Sequence, residues 1–265
     1  MNNLAISYRS VGDLDRFLEL IRECCDICCE TFGKDHPDTL ASLSNLAEAY
    51  RLTGDLEKSK ALYEECYELK KKVLGSTHPD TLITLYNMAH LYSQLGDNET
   101  GIMLLKECFE LYKEKYGLNY PDTLDVLISL AAAYESVGDN EKCLELCKLH
   151  YSINKEKKGE AARDTLTSMN NLAKAYSNVR DYDKWIELTL KCYELRKAAL
   201  GENHEDTILS LLDLIKAYAY IGNIDKCLEM YRIYYAYLVE TYGEDHVYSK
   251  AAAEEIKKLE GQIGE

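Results

Sequence analysis

Apolar residues recur along this chain at the spacing of three and four that marks one face of a helix. In the stretch around residue 85 the series is Leu82, Leu85, Met88, Ala89 and Tyr92. Gly96-Asp97 interrupts it. Glycine suits the left-handed conformation that ends a helix, and aspartate is a good N-cap for the next one. A second amphipathic run then extends to about Tyr116 and stops at Gly117. Each of the three prolines, Pro37, Pro79 and Pro121, stands where a first helix begins. Proline is tolerated there because its missing N–H would have no intrahelical partner, and the neighbouring aspartate faces the positive end of the helix dipole. The pattern predicts helix A, a turn, helix B and a loop.

The pattern repeats without a gap. HPDTL (36–40), HPDTL (78–82), YPDTL (120–124), ARDTL (162–166) and HEDTI (204–208) start 42 residues apart. Gly33, Gly75, Gly117, Gly159, Gly201 and Gly243 form a column at the same spacing, as do Tyr8, Tyr50, Tyr92, Tyr134, Tyr176 and Tyr218. A turn column reads Gly12, Gly54, Gly96, Gly138, Arg180 and Gly222. A period of this size marks a repeat architecture, in which each hairpin has an apolar face that only its neighbours can cover. The expected fold is all-α, an α-solenoid. We read one array over 1–265: a partial first repeat (1–32), full units at 33–74, 75–116, 117–158, 159–200 and 201–242, and a C-terminal capping helix (243–265). The first helix A starts about one and a half turns late, as in a piece of a longer array or a protein with a short first helix. At the other end Lys257 and Glu260 put charge where a further repeat would stack.

The order Leu43, Leu46, Ala47, Tyr50, Gly54, Ser59, Tyr63, Cys66 resembles the tetratricopeptide signature. The 42-residue period and the LG..HPDTL..L.NLA..Y wording resemble the kinesin light chain type of that repeat, over about residues 1 to 260. The resemblance implies a right-handed superhelix of antiparallel helix pairs, with helix A lining a concave groove that holds an extended peptide or a partner's helix. In this register the groove columns are Ser44, Asn45, Glu48, Arg51; Tyr86, Asn87, His90, Ser93; Ile128, Ser129, Ala132, Glu135; Asn170, Asn171, Lys174, Ser177; and Leu212, Asp213, Lys216, Ala219. Asn3, Asn45, Asn87, Ser129, Asn171 and Asp213 share one column. An asparagine amide both donates and accepts, so it can satisfy a peptide backbone without demanding a sequence; the alternative is that these side chains bond within or between helices. In kinesin light chains and other peptide-binding relatives, asparagines in this register hold the peptide. The groove bases are sparse (Arg51, Lys174, Lys216), so the dense basic clamp of chaperone-binding relatives is not assembled. Kinesin light chain grooves favour acidic peptides with an aromatic anchor. Here the charge is mixed, with apolar spots at Tyr86, Ile128 and Leu212, and the expected ligand is an extended peptide with apolar anchors and mixed charge.

Composition narrows the partners. The chain carries 46 acids against 31 bases, a net charge of −15. That charge repels nucleic acid and anionic membrane surfaces, and no basic patch offsets it. No apolar run approaches the roughly 18 to 20 residues that span a bilayer, and the first ten residues lack the pattern of a secretory signal. Residues 159–200 form the one positive unit, with seven bases and six acids. Trp185, the single tryptophan, sits there in a column otherwise small except for Phe17. It marks a local repacking, an altered stacking angle or a partner contact.

The cluster Cys24, Cys25, Cys28, Cys29 invites a metal reading, since thiolates bind soft metals. The register favours packing. Cys24 shares a column with Cys66, Cys108, His150, Cys192 and Tyr234, and Cys143 and Cys227 fall in the other small column of helix B. A free cysteine packs as a small hydrophobe, and a single helix does not converge four ligands. Ten cysteines without a leader point to the reducing cytoplasm. His36, His78, His204 and His246 all occupy the loop column before helix A, as loop or cap residues, and His150 takes a core column. Only His90 stands out, facing the groove without an oriented catalytic partner. No catalytic motif occurs. The reading is therefore a non-catalytic, cytoplasmic interaction scaffold, monomeric by preference, with no cofactor or metal. The alternative is a ligand-sensing regulatory array that controls an attached effector domain. Packing of the thiols predicts that purified protein retains no stoichiometric zinc; elemental analysis finding one equivalent would restore the metal reading.

Overall fold

The computed structural model describes residues 2–263, without the side chains of Asn2, Asn3 and Ile6, so Asn3 of the asparagine column lies outside the described residues. Among the described residues there are thirteen α-helices and no strand. They are α1 Asn2–Ser10, α2 Leu14–Phe32, α3 Pro37–Thr53, α4 Leu56–Val73, α5 Pro79–Gln94, α6 Asn98–Tyr116, α7 Pro121–Ser136, α8 Asn140–Lys158, α9 Arg163–Asn178, α10 Tyr182–Leu200, α11 Glu205–Tyr220, α12 Ile224–Tyr242 and α13 Val247–Ile263. Two compact units result, Met1–Asp139 and Asn140–Glu265. Within each unit every helix packs against the next in sequence, and in the first α3 also touches α5. This is the consecutive-pair packing of an α-solenoid.

The boundaries follow from the punctuation read in the sequence. Pro37, Pro79 and Pro121 occupy the first helical position of α3, α5 and α7. Asp13, Asp55, Asp97, Asp181 and Asn223 cap the B helices, each side chain accepting from the backbone N–H three residues on. The loop histidines are caps as well: Nδ1 of His36, His78, His204 and His246 accepts from the N–H two residues later at 3.1–3.3 Å. In the turn column the glycines take φ between 71° and 87°, and Arg180 adopts φ 63° in their place.

The DTL motif has a structural reason. Its hydroxyl residue is completely buried in Thr39, Thr81, Thr123, Thr165, Thr207 and Ser249. Thr123, Thr207 and Ser249 donate to the carbonyls of Gly117, Gly201 and Gly243, six residues back, at 2.7–3.0 Å. Thr39 donates instead to the Cys28 carbonyl at 3.1 Å. The start of each such helix A is thereby tied to the end of the preceding helix B. At ARDTL, one of the two full units without the proline, the loop is held by ions. Glu160 pairs with Lys155 at 2.9 Å and Lys191 at 2.6 Å, and those two lysines hold its carboxyl down to about 2.

The core is built on small residues of helix A. Ala47, Ala89, Ala131 and Ala173 are at most 1% exposed. Facing them from helix B, Ser59 donates to the Ala47 carbonyl at 2.8 Å, and Gly101 stands where an added Cβ would meet the Ser93 hydroxyl at 2.6 Å and the Ala89 carbonyl at 3.1 Å. Two helix B positions carry buried cations. Lys70 donates to the hydroxyls of Ser44 and Thr84 at 2.7 and 2.9 Å and to the Asp80 carbonyl at 3.3 Å. Arg196 repeats the device on Ser210 and the Asp206 carbonyl.

Burial lowers the Lys70 pKa below its ordinary 10.5, since desolvation penalises the charged form. The unfolded chain then binds the proton more tightly than the native one, so this group's contribution to stability rises with pH between the depressed value and 10.5. The melting temperature of the wild type relative to that of Lys70→Met is expected to rise between pH 7 and pH 10. A relative melting temperature that falls over that range would contradict an unneutralised buried cation.

Candidate functional site

In the first unit, helices α3, α5 and α7 present one face whose columns are accessible while their neighbours are buried. Asn45 and His90 are exposed, and Glu48, Arg51, Tyr86, Asn87 and Ile128 are half-buried. The alternation follows from helical spacing. Leu43, Leu46, Ala47 and the corresponding Leu85, Met88, Ala89 point into the core, leaving the intervening positions on the opposite face.

The charged members are already matched. Arg51 binds Glu48 through two N–H groups at 2.7 and 2.6 Å and reaches across to Gln94 of α5 at 3.1 Å. Tyr63 donates its hydroxyl to the same carboxylate at 3.1 Å. A two-point guanidinium–carboxylate contact fixes geometry as well as charge, so Arg51 is a rigid, neutralised wall. With Asn87, His90 and Ser93 these groups line a polar depression of about 470 Å³. His90 stands edge-on to Tyr86, ring centroids 4.5 Å apart. Although solvent reaches it, partial desolvation by the surrounding face, and then the charge of Arg51, hold its pKa below the ordinary 6.5.

A second depression, of about 410 Å³, adjoins the first at Asn87. Ile83, Tyr86, Tyr112, Val126 and Ile128 give it apolar walls, with Asp122 and Asp125 at its edge. Tyr86 and Ser129 share a hydrogen bond at 2.8 Å that links α5 to α7.

In the second unit α9 and α11 carry the corresponding face. Asn170 donates to Asp213 at 3.3 Å and Lys216 pairs with that same carboxylate at 3.4 Å. With Lys174, Ser177, Ala173, Trp185 and Thr189 they line a depression of about 260 Å³. Asn171 is half-buried beside it. Trp185 is half-buried and packs between Tyr182 and Tyr220, at 6.3 and 5.8 Å between ring centroids. It thus lies in its small column by joining an aromatic group at the helix turn.

The asparagine column divides. Ser129 and Asp213 are committed to Tyr86 and to Asn170 and Lys216. Asn45, Asn87 and Asn171 make no side-chain hydrogen bond among the described residues.

The cysteines are mostly core. Seven are buried, and Cys66, Cys108 and Cys192 each donate to a carbonyl 26 residues back, on Leu40, Leu82 and Leu166, at 3.3–3.6 Å. Cys24 departs from the expectation of a buried column. It is half-buried. Cys28 and Cys29 are half-buried too. Among the described residues no group of three or more histidines, cysteines or acids converges as a metal site.

Several lining residues escape a reading confined to the groove columns. Ile83 and Asp125 lie one turn before Asn87 and Ser129 on the same helix face, and that i−4 spacing was the available signal. Gln94 and Tyr112 required the fold, because they come from the next turn and from helix B.

The family model for tetratricopeptide repeats matches residues 1–72, 45–114 and 80–156, and a second of the same description matches 165–206. The chain is a tetratricopeptide repeat protein. Its fold is similar to the nearly identical tetratricopeptide-like repeats assigned to a kinesin light chain of Podosopora anserina, with 24% identity over 78% of this chain and 98% of that one and a TM-score of 0.69. It is also similar to BtubC (BKLC) from P. vanneervenii, with 15% identity over 97% and 91% and a TM-score of 0.63. A signal transduction ATPase with a tetratricopeptide repeat sensor from Pyrococcus horikoshii aligns over all of this chain and 38% of its own, with 16% identity and a TM-score of 0.73. No curated relative matches this tetratricopeptide repeat protein. None of its described helices is long and apolar enough to cross a membrane.

An NMR titration of His90 is expected to give a midpoint below 6.5, and Arg51→Ala to move it upward by removing the nearby positive charge. A midpoint that ignores the substitution would show that Arg51 does not act on this ring.

Proposed function

We propose that this protein is a non-catalytic interaction scaffold, and that its helix A face binds an extended peptide segment of a partner protein. Tetratricopeptide repeats generally mediate protein–protein interactions, and the finer reading rests on one observation. Asn45, Asn87 and Asn171 stand in one column, accessible, with their amides uncommitted among the described residues. A structural role would have engaged them, as it engages Asn170. An extended peptide offers alternating N–H and C=O groups, which such amides match in either direction. Glu48, Arg51, Tyr86, His90 and Ile128 flank a bound segment on the first unit, and Asn170, Lys174 and Lys216 line the corresponding face of the second. The ten cysteines, all free, favour a reducing compartment such as the cytoplasm.

A second reading is favoured by the alignment of the whole chain with part of an ATPase bearing a tetratricopeptide repeat sensor. In that reading ligand binding changes the array and the change is passed to an effector. Small-angle scattering with and without bound peptide separates the two, since a scaffold keeps its dimensions and a sensor does not.

Peptides selected from a random display library against the wild type are expected to bind Asn87→Ala/Asn171→Ala at equal helicity more weakly, by about five-fold per lost amide bond. Unchanged affinity would make the asparagine column a structural feature and move the site off this face.

A further inference from the structure

The depression between α5 and α7 has a chemistry of its own. Its walls are apolar: Ile83 is 48% exposed, Ile128 is half-buried and Val126 lies beneath, with Tyr112 2% exposed. The Tyr86 ring is fixed at its side by the bond to Ser129. Asp122 and Asp125 stand one turn apart at the start of α7, and neither carboxylate has an ion-pair partner among the described residues. The other three depressions are different. Glu48 neutralises Arg51 in the first; Lys174 and Lys216 face Asp213 in the second; Arg163 and Arg196 face Asp206 in the third. Of the four, this one alone combines carboxylates with no cation, in a chain whose net charge is −15.

We propose that this depression anchors an apolar side chain of the partner segment whose neighbour is cationic, a lysine or arginine set against Asp122 and Asp125. The proposal rests on the peptide-binding reading of the same face and specifies its ligand. The apolar side chain covers Ile83, Val126 and Ile128, surface that is otherwise left against water. The cation supplies the charge that the α7 carboxylates lack, and the neighbouring Asn87 amide takes the peptide backbone one step along. The contribution is selective, because an acidic neighbour at the same place meets like charge.

The test uses the full chain and blocked, fluorescein-labelled nonapeptides with one central leucine or tryptophan flanked on each side by two arginines, two serines or two glutamates. The arginine-flanked peptides are expected to bind about ten-fold more tightly than the glutamate-flanked ones at low salt, with the gap narrowing as salt rises. Asp122→Asn/Asp125→Asn should reduce that gap to within about three-fold. The control Glu57→Gln/Glu114→Gln, which removes two charges outside the lining of the depression, should leave it intact. Asp125→Asn alone, at an exposed position, keeps the test available if the double variant unfolds. A flat or reversed ranking, with binding retained and still sensitive to Asn87→Ala, overturns this inference and leaves the peptide-binding reading standing. An equal loss in the control overturns it in favour of overall charge. Failure of every peptide to bind overturns both.

Discussion

At each loop from helix B to the next helix A, the backbone has to pass through a conformation that only glycine enters cheaply. Gly33, Gly117, Gly201 and Gly243 take φ of 82–94° with ψ of 160–169°, a region closed to side chains with a Cβ. The glycine carbonyl then receives the buried hydroxyl of the DTL residue six positions on, in three of the loops. Loop, helix start and helix end are thus set by one short segment. A repeat of fixed length follows, because an inserted residue would move the hydroxyl away from its acceptor and turn the helix A apolar face from its neighbour. Stacking of alanine columns against small helix B residues depends on that register.

The face left over by this packing is the one proposed to bind. In a two-helix repeat the inner positions of helix A are consumed by the core, and what remains is a stripe of four columns per repeat. The stripe is rigid in the first unit. Arg51, Glu48, Gln94 and Tyr63 fix one another, and Tyr86 is tied to Ser129. Rigid walls with uncommitted amides between them lower the ordering cost of association.

Much of this was legible in the sequence. The helix boundaries, caps and prolines follow from Gly-Asp and HPDTL read in register, and the groove columns emerge from the same 42-residue alignment. What the sequence did not disclose is pairing between columns. That Arg51 is neutralised rather than available, that Asn170 is spent on Asp213, and that Trp185 fits its small column by packing against Tyr182 and Tyr220 all depend on side-chain reach across neighbouring helices. Cys24 is half-buried although its column is otherwise mostly core, since a column gives the side chain's direction along the helix but not what covers it. Ile83 and Asp125 were within reach of sequence reasoning, one turn outside the columns considered.

The thiols carry a consequence for handling and for life in the cell. Burial pushes Cys108 up to about 12 and Cys25 up to about 11. A sulfur that stays protonated and enclosed is a poor nucleophile. Such residues resist alkylation, oxidation and exchange with glutathione for as long as the repeat around them stays closed. The solenoid therefore carries its seven buried cysteines as filling, shielded by its own packing, and their slow labelling by a thiol reagent would report the opening of individual hairpins.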